Sequence, residues 1–193
     1  MGAGGLMIKI ATLFGEAGAG KDTLLDWAVQ NLDVHGIISC TTRPPRDYEI
    51  QDRDYHFLTN EEFRSIQKNN QFIEYSNFNN WFYGTRIEDL SFDKLNIGVF
   101  NLDGITQLMN NEKNFDIKIY PIYIKTSDIN RLLRQLTREK NPDVEEILRR
   151  YQTDNKDFSQ INFSYTIINN DSSNKHLAYI ELVKEIERIR RTV

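Results

Sequence analysis

The stretch Gly15 to Thr23, GEAGAGKDT, directly follows the apolar run Met7 to Phe14, and that adjacency constrains the chain more than any other feature. A glycine-rich turn between a strand and a helix aims several backbone N–H groups, and the positive end of the helix, at one anion. Gly15 and Gly20 permit the tight curve that a Cβ would obstruct. Lys21 adds a movable positive charge for the β and γ phosphates of a nucleoside triphosphate. The residues between them, Glu16, Ala17, Gly18 and Ala19, complete a Walker A spacing that departs from the pattern once. Asp22 stands where a Ser or Thr hydroxyl usually holds Mg²⁺, and Thr23 comes one place later. IKIATLF is rich in β-formers, and DTLLDWAVQNL sets Leu24, Leu25, Ala28, Val29 and Leu32 on one helical face. Strand, loop and helix thus follow in the order that a phosphate cradle needs.

With 193 residues, 39% of them hydrophobic, the chain can bury one sizeable core, and a single domain with embedded subdomains is expected. A net charge of −4 gives no overall basic field for nucleic acid, so lysines and arginines must act locally. The single Cys40 excludes an internal disulfide and fits a reducing compartment, as a small buried residue beside a strand. No run approaches the ~18 apolar residues needed to span a bilayer, and no signal-peptide pattern opens the chain. A cytoplasmic protein without membrane attachment is expected, its MGAGGL start a leader before Met7. His35, His56 and His176 lack metal-ligand spacing and are expected to serve local structure.

Gly36 ends the first helical segment, and Ile37 to Cys40 reads as a second strand. In the following segment Pro44 and Pro45 hold Arg43 and Arg46 on a stiff turn suited to an anion, or simply to a solvated loop. Thr59 and Glu62 form a capping box for a helix to about Lys68. Phe72 to Tyr75 and Phe78 to Tyr83 then read as strands of a small antiparallel, aromatic-rich unit, a composition that suits a base-binding lobe. Glu74 is its notable residue, because its neighbours Phe72, Ile73 and Tyr75 are too apolar for an unpartnered carboxylate. Such a carboxylate accepts from N1–H and the exocyclic N2 amine of guanine, whereas adenine offers an acceptor at N1 and nothing at C2. The competing reading is an outward-facing strand residue.

Asn96 to Asp103 reads as a third strand ending in an acid, and Lys118 to Ile124 as a fourth, with Pro121 arguing for an edge or bulge. Asp128 to Arg138 and Asp143 to Gln152 are helical by period and bring Arg131, Arg134, Arg138, Arg149 and Arg150 into a short span. They form either a solvated face or a hairpin able to close over a transferring phosphoryl group. Tyr165 to Ile168 is a last strand before Asn169, Asn170 and Asp171. Lys175 to Arg190 is a closing helix, expected to turn Leu177, Ile180, Leu182, Val183, Ile186 and Ile189 inward.

Taken together these stretches resemble guanylate kinase. Ser39, Thr41, Thr42, Arg43, Pro45 and Arg46 match the family's S-x-T-T-R-x-P-R segment. Glu49, Asp54, Tyr55 and Phe57 follow at its E-x4-D-Y-x-F spacing, and the FIEY and YGT blocks fit as well. The resemblance implies an α/β P-loop three-layer fold with a central parallel sheet, an inserted small mixed β lobe for GMP and a helical lid. Its expected parts are a core of about 7–38, 94–125 and 163–193, a lobe of about 39–93 and a lid of about 134–155. It further implies transfer of a phosphoryl group from MgATP to GMP by a monomer or dimer. Ser39, Glu74 and Thr85 would read guanine, with Arg43, Arg46, Tyr55 and Tyr83 on the GMP phosphate. Asp103 would touch the nucleotide or its metal shell. Arg138 and Arg150 match lid arginines, with Arg134 a third, and Asn169 a nucleotide-contacting asparagine. Lys21, Arg46 and the lid arginines would neutralise the transferring group. Asp22 in place of Ser and Asn101 in place of an acid are departures, joined by the expectation that Asp22 supplies an oxygen to Mg²⁺ while Asn101 offsets its charge. Kinases of other nucleoside monophosphates, and kinase-like domains that only bind, are the rival readings.

Overall fold

The computed structural model describes residues 7–78, 80–138, 140–159, 165–169 and 175–192. Residues 1–6, Glu139, Asn170 and Asp171 lie outside the described residues. Among the described residues nine strands and six α-helices follow in chain order: β1 (Ile8–Phe14), α1 (Lys21–Asn31), β2 (His35–Gly36), β3 (Cys40–Thr41), β4 (His56–Phe57), α2 (Asn60–Lys68), β5 (Phe72–Phe78), β6 (Trp81–Arg86), β7 (Asn96–Val99), α3 (Leu102–Phe115), β8 (Ile117–Lys125), α4 (Asp128–Arg138), α5 (Val144–Phe158), β9 (Thr166–Ile168) and α6 (Lys175–Arg191). Five strands form a central sheet in the order β2-β7-β1-β8-β9, with β2/β7 and β8/β9 parallel. The other four form a separate mixed sheet, β4-β3-β6-β5. The architecture is α/β. Among the described residues no helix is long and apolar enough to cross a membrane.

The chain divides into two compact units. One contains the chain up to Thr12 and Asp33–Tyr120; the other contains Leu13–Leu32 and Pro121–Val193.

In the first unit, the expected strand Ile37 to Cys40 is replaced by two short ones. The chain leaves the central sheet after Gly36 and joins the mixed sheet at Cys40, so no single strand can span the passage. Cys40 is fully buried on β3, and desolvation pushes its thiol up to about 12, which leaves it unreactive. Thr59 caps α2 through the expected box: its hydroxyl accepts from the Glu62 N–H, and the Glu62 carboxylate accepts from the Thr59 N–H. Phe63 of α2 stacks on Phe72 and Phe82, closing an apolar cluster with Cys40. The expected strand Asn96 to Asp103 stops at Val99, because the Asn101 side chain accepts from the Gly104 N–H and starts α3. Asp103 is therefore an exposed residue of a helix's first turn rather than a strand end.

In the second unit, Leu24 and Ala28 of α1 are buried, but Val29 is 45% exposed. Trp27 stacks instead on Tyr179 of α6 at 4.5 Å. β8 is an inner strand of the central sheet, so of the edge or bulge that Pro121 argued for, the edge does not hold. Its pairing with β9 covers only Tyr123 to Lys125, so on that side proline's missing N–H falls before the first paired residue. α5 runs to Phe158, beyond the expected Gln152, because Phe158 stacks on Tyr123 and anchors the last turn. On α6, Ala178, Leu182, Ile186 and Ile189 are buried, whereas Leu177 and Ile180 are 56% and 48% exposed.

Candidate active site

The phosphate loop belongs to the second unit. Gly20 is the left-handed residue before α1, at φ 90°, and α1 begins without any side-chain cap. α2, α3 and α5 each start under one, from Thr59, Asn101 and Asp143. The amides opening α1 are thus left to an external anion. Lys21 Nζ donates to the carbonyls of Gly15, at 2.9 Å, and Glu16, at 3.1 Å, folding back over the loop. Burial lowers its pKa, while Asp22 and Asp154 oppose the shift. Asp22 and Thr23 are exposed beside it.

Behind the loop stands a polar network that sequence reasoning missed. Arg131 is 1% exposed. Its guanidinium reaches Asp154 and Asp128 at 3.2 Å, Asn155 at 3.0 Å and the Ala17 carbonyl at 3.3 Å, and it lies over the Tyr151 ring. Glu16, expected among the ATP-binding residues of the loop, is buried and turned to the protein instead: it accepts from the Tyr123 hydroxyl at 2.8 Å and lies 3.8 Å from Arg131. Asp154 also accepts the Ala17 N–H at 2.6 Å. The available sequence signal was weak: an arginine between apolar positions of α4, with acids at distant places in the chain. Arg134 donates to the carbonyls of Gly18, Ala19 and Asn169, and the Asn169 amide donates to Ala19 O. Both residues hold the loop's shape. Gly18 comes so close to α4 that a Cβ there would lie 2.5 Å from the Arg131 carbonyl. Arg138 is exposed; Arg150 is half-buried, with its Nε 3.9 Å from Glu146.

In the first unit the structure brings the other candidates together in the mixed sheet. A register shift between Phe72 and Glu74 leaves Ile73 as an extra residue opposite β6, so Phe72 faces Phe63 while Glu74 is turned to the side of α3. Glu74 is 4% exposed, against the outward-facing alternative. Desolvation raises its carboxyl to about 7, moderated by hydrogen bonds from the Thr85 hydroxyl and backbone. Thr85 Oγ1 lies 3.3 Å from Ser39 Oγ, so Ser39, Thr85 and Glu74 form one polar row. Asn101 adds its amide from the α3 cap, donating to Ser76 Oγ at 2.8 Å.

The arginines converge on Glu49. Arg43 Nη2 donates to Glu49 at 2.9 Å and lies over the Tyr55 and Phe57 rings. Arg46 meets the same carboxylate through its N–H at 2.8 Å and its guanidinium at 3.3 Å. Tyr55 in turn makes an edge contact with Tyr83. Two guanidiniums share one carboxylate on a stiff turn, which holds their forked N–H groups in place, an arrangement suited to phosphate.

A sequence model of the guanylate kinase family matches residues 7–186. The chain is 33% identical over 175 residues to a guanylate kinase of Blochmanniella floridana, covering 86% of this chain and 81% of that one. It is 28% identical over 191 residues to a guanylate kinase of Malacoplasma penetrans, covering 92% and 95%. The crystal structure of guanylate kinase from Anaplasma phagocytophilum shares the fold, with a TM-score of 0.68 at 18% identity over 98% of this chain and 88% of that one. Since the family match runs from the first strand into the last helix, it takes in both units, and the chain belongs to the guanylate kinase family.

Proposed function

We propose that this chain transfers the γ-phosphoryl group of ATP to GMP, giving ADP and GDP. The observation that carries the base assignment is the buried carboxylate of Glu74, bonded by Thr85 and aligned with Ser39. Guanine gives such a carboxylate two further donors, while adenine sets an acceptor at N1 against it and offers nothing at C2, a contrast worth up to ~10⁴ in discrimination. Arg43 and Arg46, with Tyr55 and Tyr83, hold the GMP phosphate. The loop amides and Lys21 hold the β and γ phosphates of ATP.

The attacking oxygen belongs to a phosphate already largely ionised at neutral pH, so no strong general base is required. Catalysis then consists of alignment and charge neutralisation, with Lys21, Arg46, Arg138 and Arg150 supplying positive charge to a loose transition state. Arg134 contributes by fixing the loop carbonyls it bonds. Among the described residues no group of three His, Cys, Asp or Glu side chains could cage a metal. That suits Mg²⁺, which binds through one or two protein oxygens plus substrate phosphates, and Asp22 with Thr23 offers such oxygens next to Lys21. When bound, Mg²⁺ would neutralise charge on the β and γ oxygens.

ADP production measured side by side with GMP, AMP, CMP and UMP tests this reading. Turnover dependent on GMP, with AMP poorer by two or more orders of magnitude, is expected. A stronger response to another monophosphate, or none to any, would overturn it.

A further inference from the structure

We propose that Gly104, on the first turn of α3, fixes where the Glu74 carboxylate can sit and thereby sets the chain's preference for guanine. The inference rests on the base-reading role proposed for Glu74.

Gly104 is buried in a helix and, unlike Gly15, Gly18 and Gly20, does not have a positive φ. Backbone conformation therefore does not require glycine there, and glycine within a helix is less favourable than alanine. The space around it supplies the reason. A Cβ at position 104 would lie 2.9 Å from Glu74 Oε2, 3.6 Å from its Cδ and 3.2 Å from Asn101 Oδ1. The first distance is closer than folded proteins tolerate.

The surroundings leave the carboxylate as the group that moves. Asn101 is fixed, since its Oδ1 accepts the Gly104 N–H at 2.7 Å and its amide donates to Ser76 at 2.8 Å. The β5 backbone on either side of Glu74 is tied to α3: Asn111 donates to the Ile73 carbonyl at 2.9 Å, and the Tyr75 N–H donates to Gln107 at 3.2 Å. Helix and strand are held together, so an added methyl displaces the Glu74 side chain through its own torsions. For the fold that movement strains the hydrogen bonds from Thr85, a cost that alanine's better fit to a helix offsets. For a guanine edge, which needs two oxygens at hydrogen-bond distance, a displacement of about 1 Å costs on the order of a hundredfold.

The test is Gly104→Ala in the full chain, with wild type and Glu74→Gln alongside, reading Tm, the KM for ATP, and kcat/KM for GMP and for AMP. Expected are a Tm equal to or above wild type, an unchanged KM for ATP, and a fall of roughly ten- to a hundredfold in kcat/KM for GMP with AMP little affected. A GMP/AMP ratio within twofold of wild type in Gly104→Ala, alongside a collapsed ratio in Glu74→Gln, overturns this inference alone. A wild-type chain without GMP preference, or a Glu74→Gln variant that keeps it, overturns the reading of Glu74 and this inference with it. A Gly104→Ala chain that fails to fold, or loses many degrees of Tm, also overturns it, because the methyl would then disrupt the fold instead of moving one carboxylate.

Discussion

The phosphate loop between Gly15 and Lys21 offers a nucleotide mostly main chain, whereas the row Ser39, Thr85 and Glu74 of the mixed sheet offers only side chains. Backbone amides at a helix start bind phosphate with no knowledge of the base. A buried carboxylate has no affinity of its own for phosphate but accepts one pattern of donors and rejects its inverse. The supports differ in the same way. The loop's carbonyls are held by Arg131, Arg134 and Asn169, long or amide-bearing side chains reaching from α4 and the end of β9. Glu74 is aimed by one extra residue in a strand and by the absence of a side chain at Gly104. On the proposed roles, binding strength and selectivity would be separable, each open to change without the other.

The sharpest way to break that separation is Lys21→Ala. Loss of a charge aimed at the transferring group should lower kcat by roughly 10³ while calorimetric binding of GMP stays as in wild type. A kcat within tenfold of wild type would remove Lys21 from the mechanism. An equal loss of GMP binding would mean that the two regions are not independent.

How much of this was legible in the sequence follows the same contrast. The loop's glycines and lysine announce themselves at fixed spacing because their chemistry is local, and the Thr59/Glu62 cap does so for the same reason. Glu74 was visible only as a polar residue in apolar company. Whether it faced in or out depended on the shift at Ile73, which alternation along FIEY does not encode. The end of β7 was misplaced because Asn101 was weighed as a missing acid, although an Asn before Leu-Asp-Gly is also an ordinary helix cap. Least legible was the network behind the loop. Arg131, Glu16 and Asp154 are far apart in sequence, and by period an arginine on an amphipathic helix belongs to the solvated face. Only tertiary packing makes it the largest fully buried side chain among the described residues.

That network gives a second test, in stability. Arg131→Met fills similar volume but leaves the buried Glu16 and the partly buried Asp154 without their shared cation. Breaking such a cluster by removing one partner costs about 3–5 kcal/mol, a large part of the 5–15 kcal/mol typical of a domain. Denaturant unfolding should show it, with a Tm lower by roughly 6–20 °C. A change below about 1 kcal/mol would mean that the carboxylates take up protons or solvent without strain, and that the loop does not depend on the arginine.

The smallest effect, and the one that bears most directly on the selective half, is in pH. Glu74 has a folded-state value of about 7, above the ordinary 4.5, because burial disfavours its charge. For a raised acid the protonated form is the one that folding favours. The contribution of Glu74 to stability is therefore fully present below pH 4.5 and is lost as pH rises to about 7. Guanine recognition has the opposite sign, since only the ionised carboxylate accepts from both donors. GMP binding should strengthen as pH climbs through 7 and level off above it, and kcat/KM for GMP should fall by about tenfold for each pH unit below. The second ionisation of the GMP phosphate, near pH 6, adds its own limb, but that limb is common to every variant. Glu74→Gln has no carboxyl to titrate, so its profile should lose the limb near 7 and keep the one near 6. Below pH 7 the wild type should also release a proton from Glu74 on binding GMP, visible as a buffer-dependent heat in calorimetry, and the variant should show only the smaller release that the GMP phosphate gives in both proteins. Overlapping profiles for the two proteins would show that Glu74 is already ionised in the free chain or does not meet the base, and the contrast between a region that grips and a region that selects would then need another residue on its selective side.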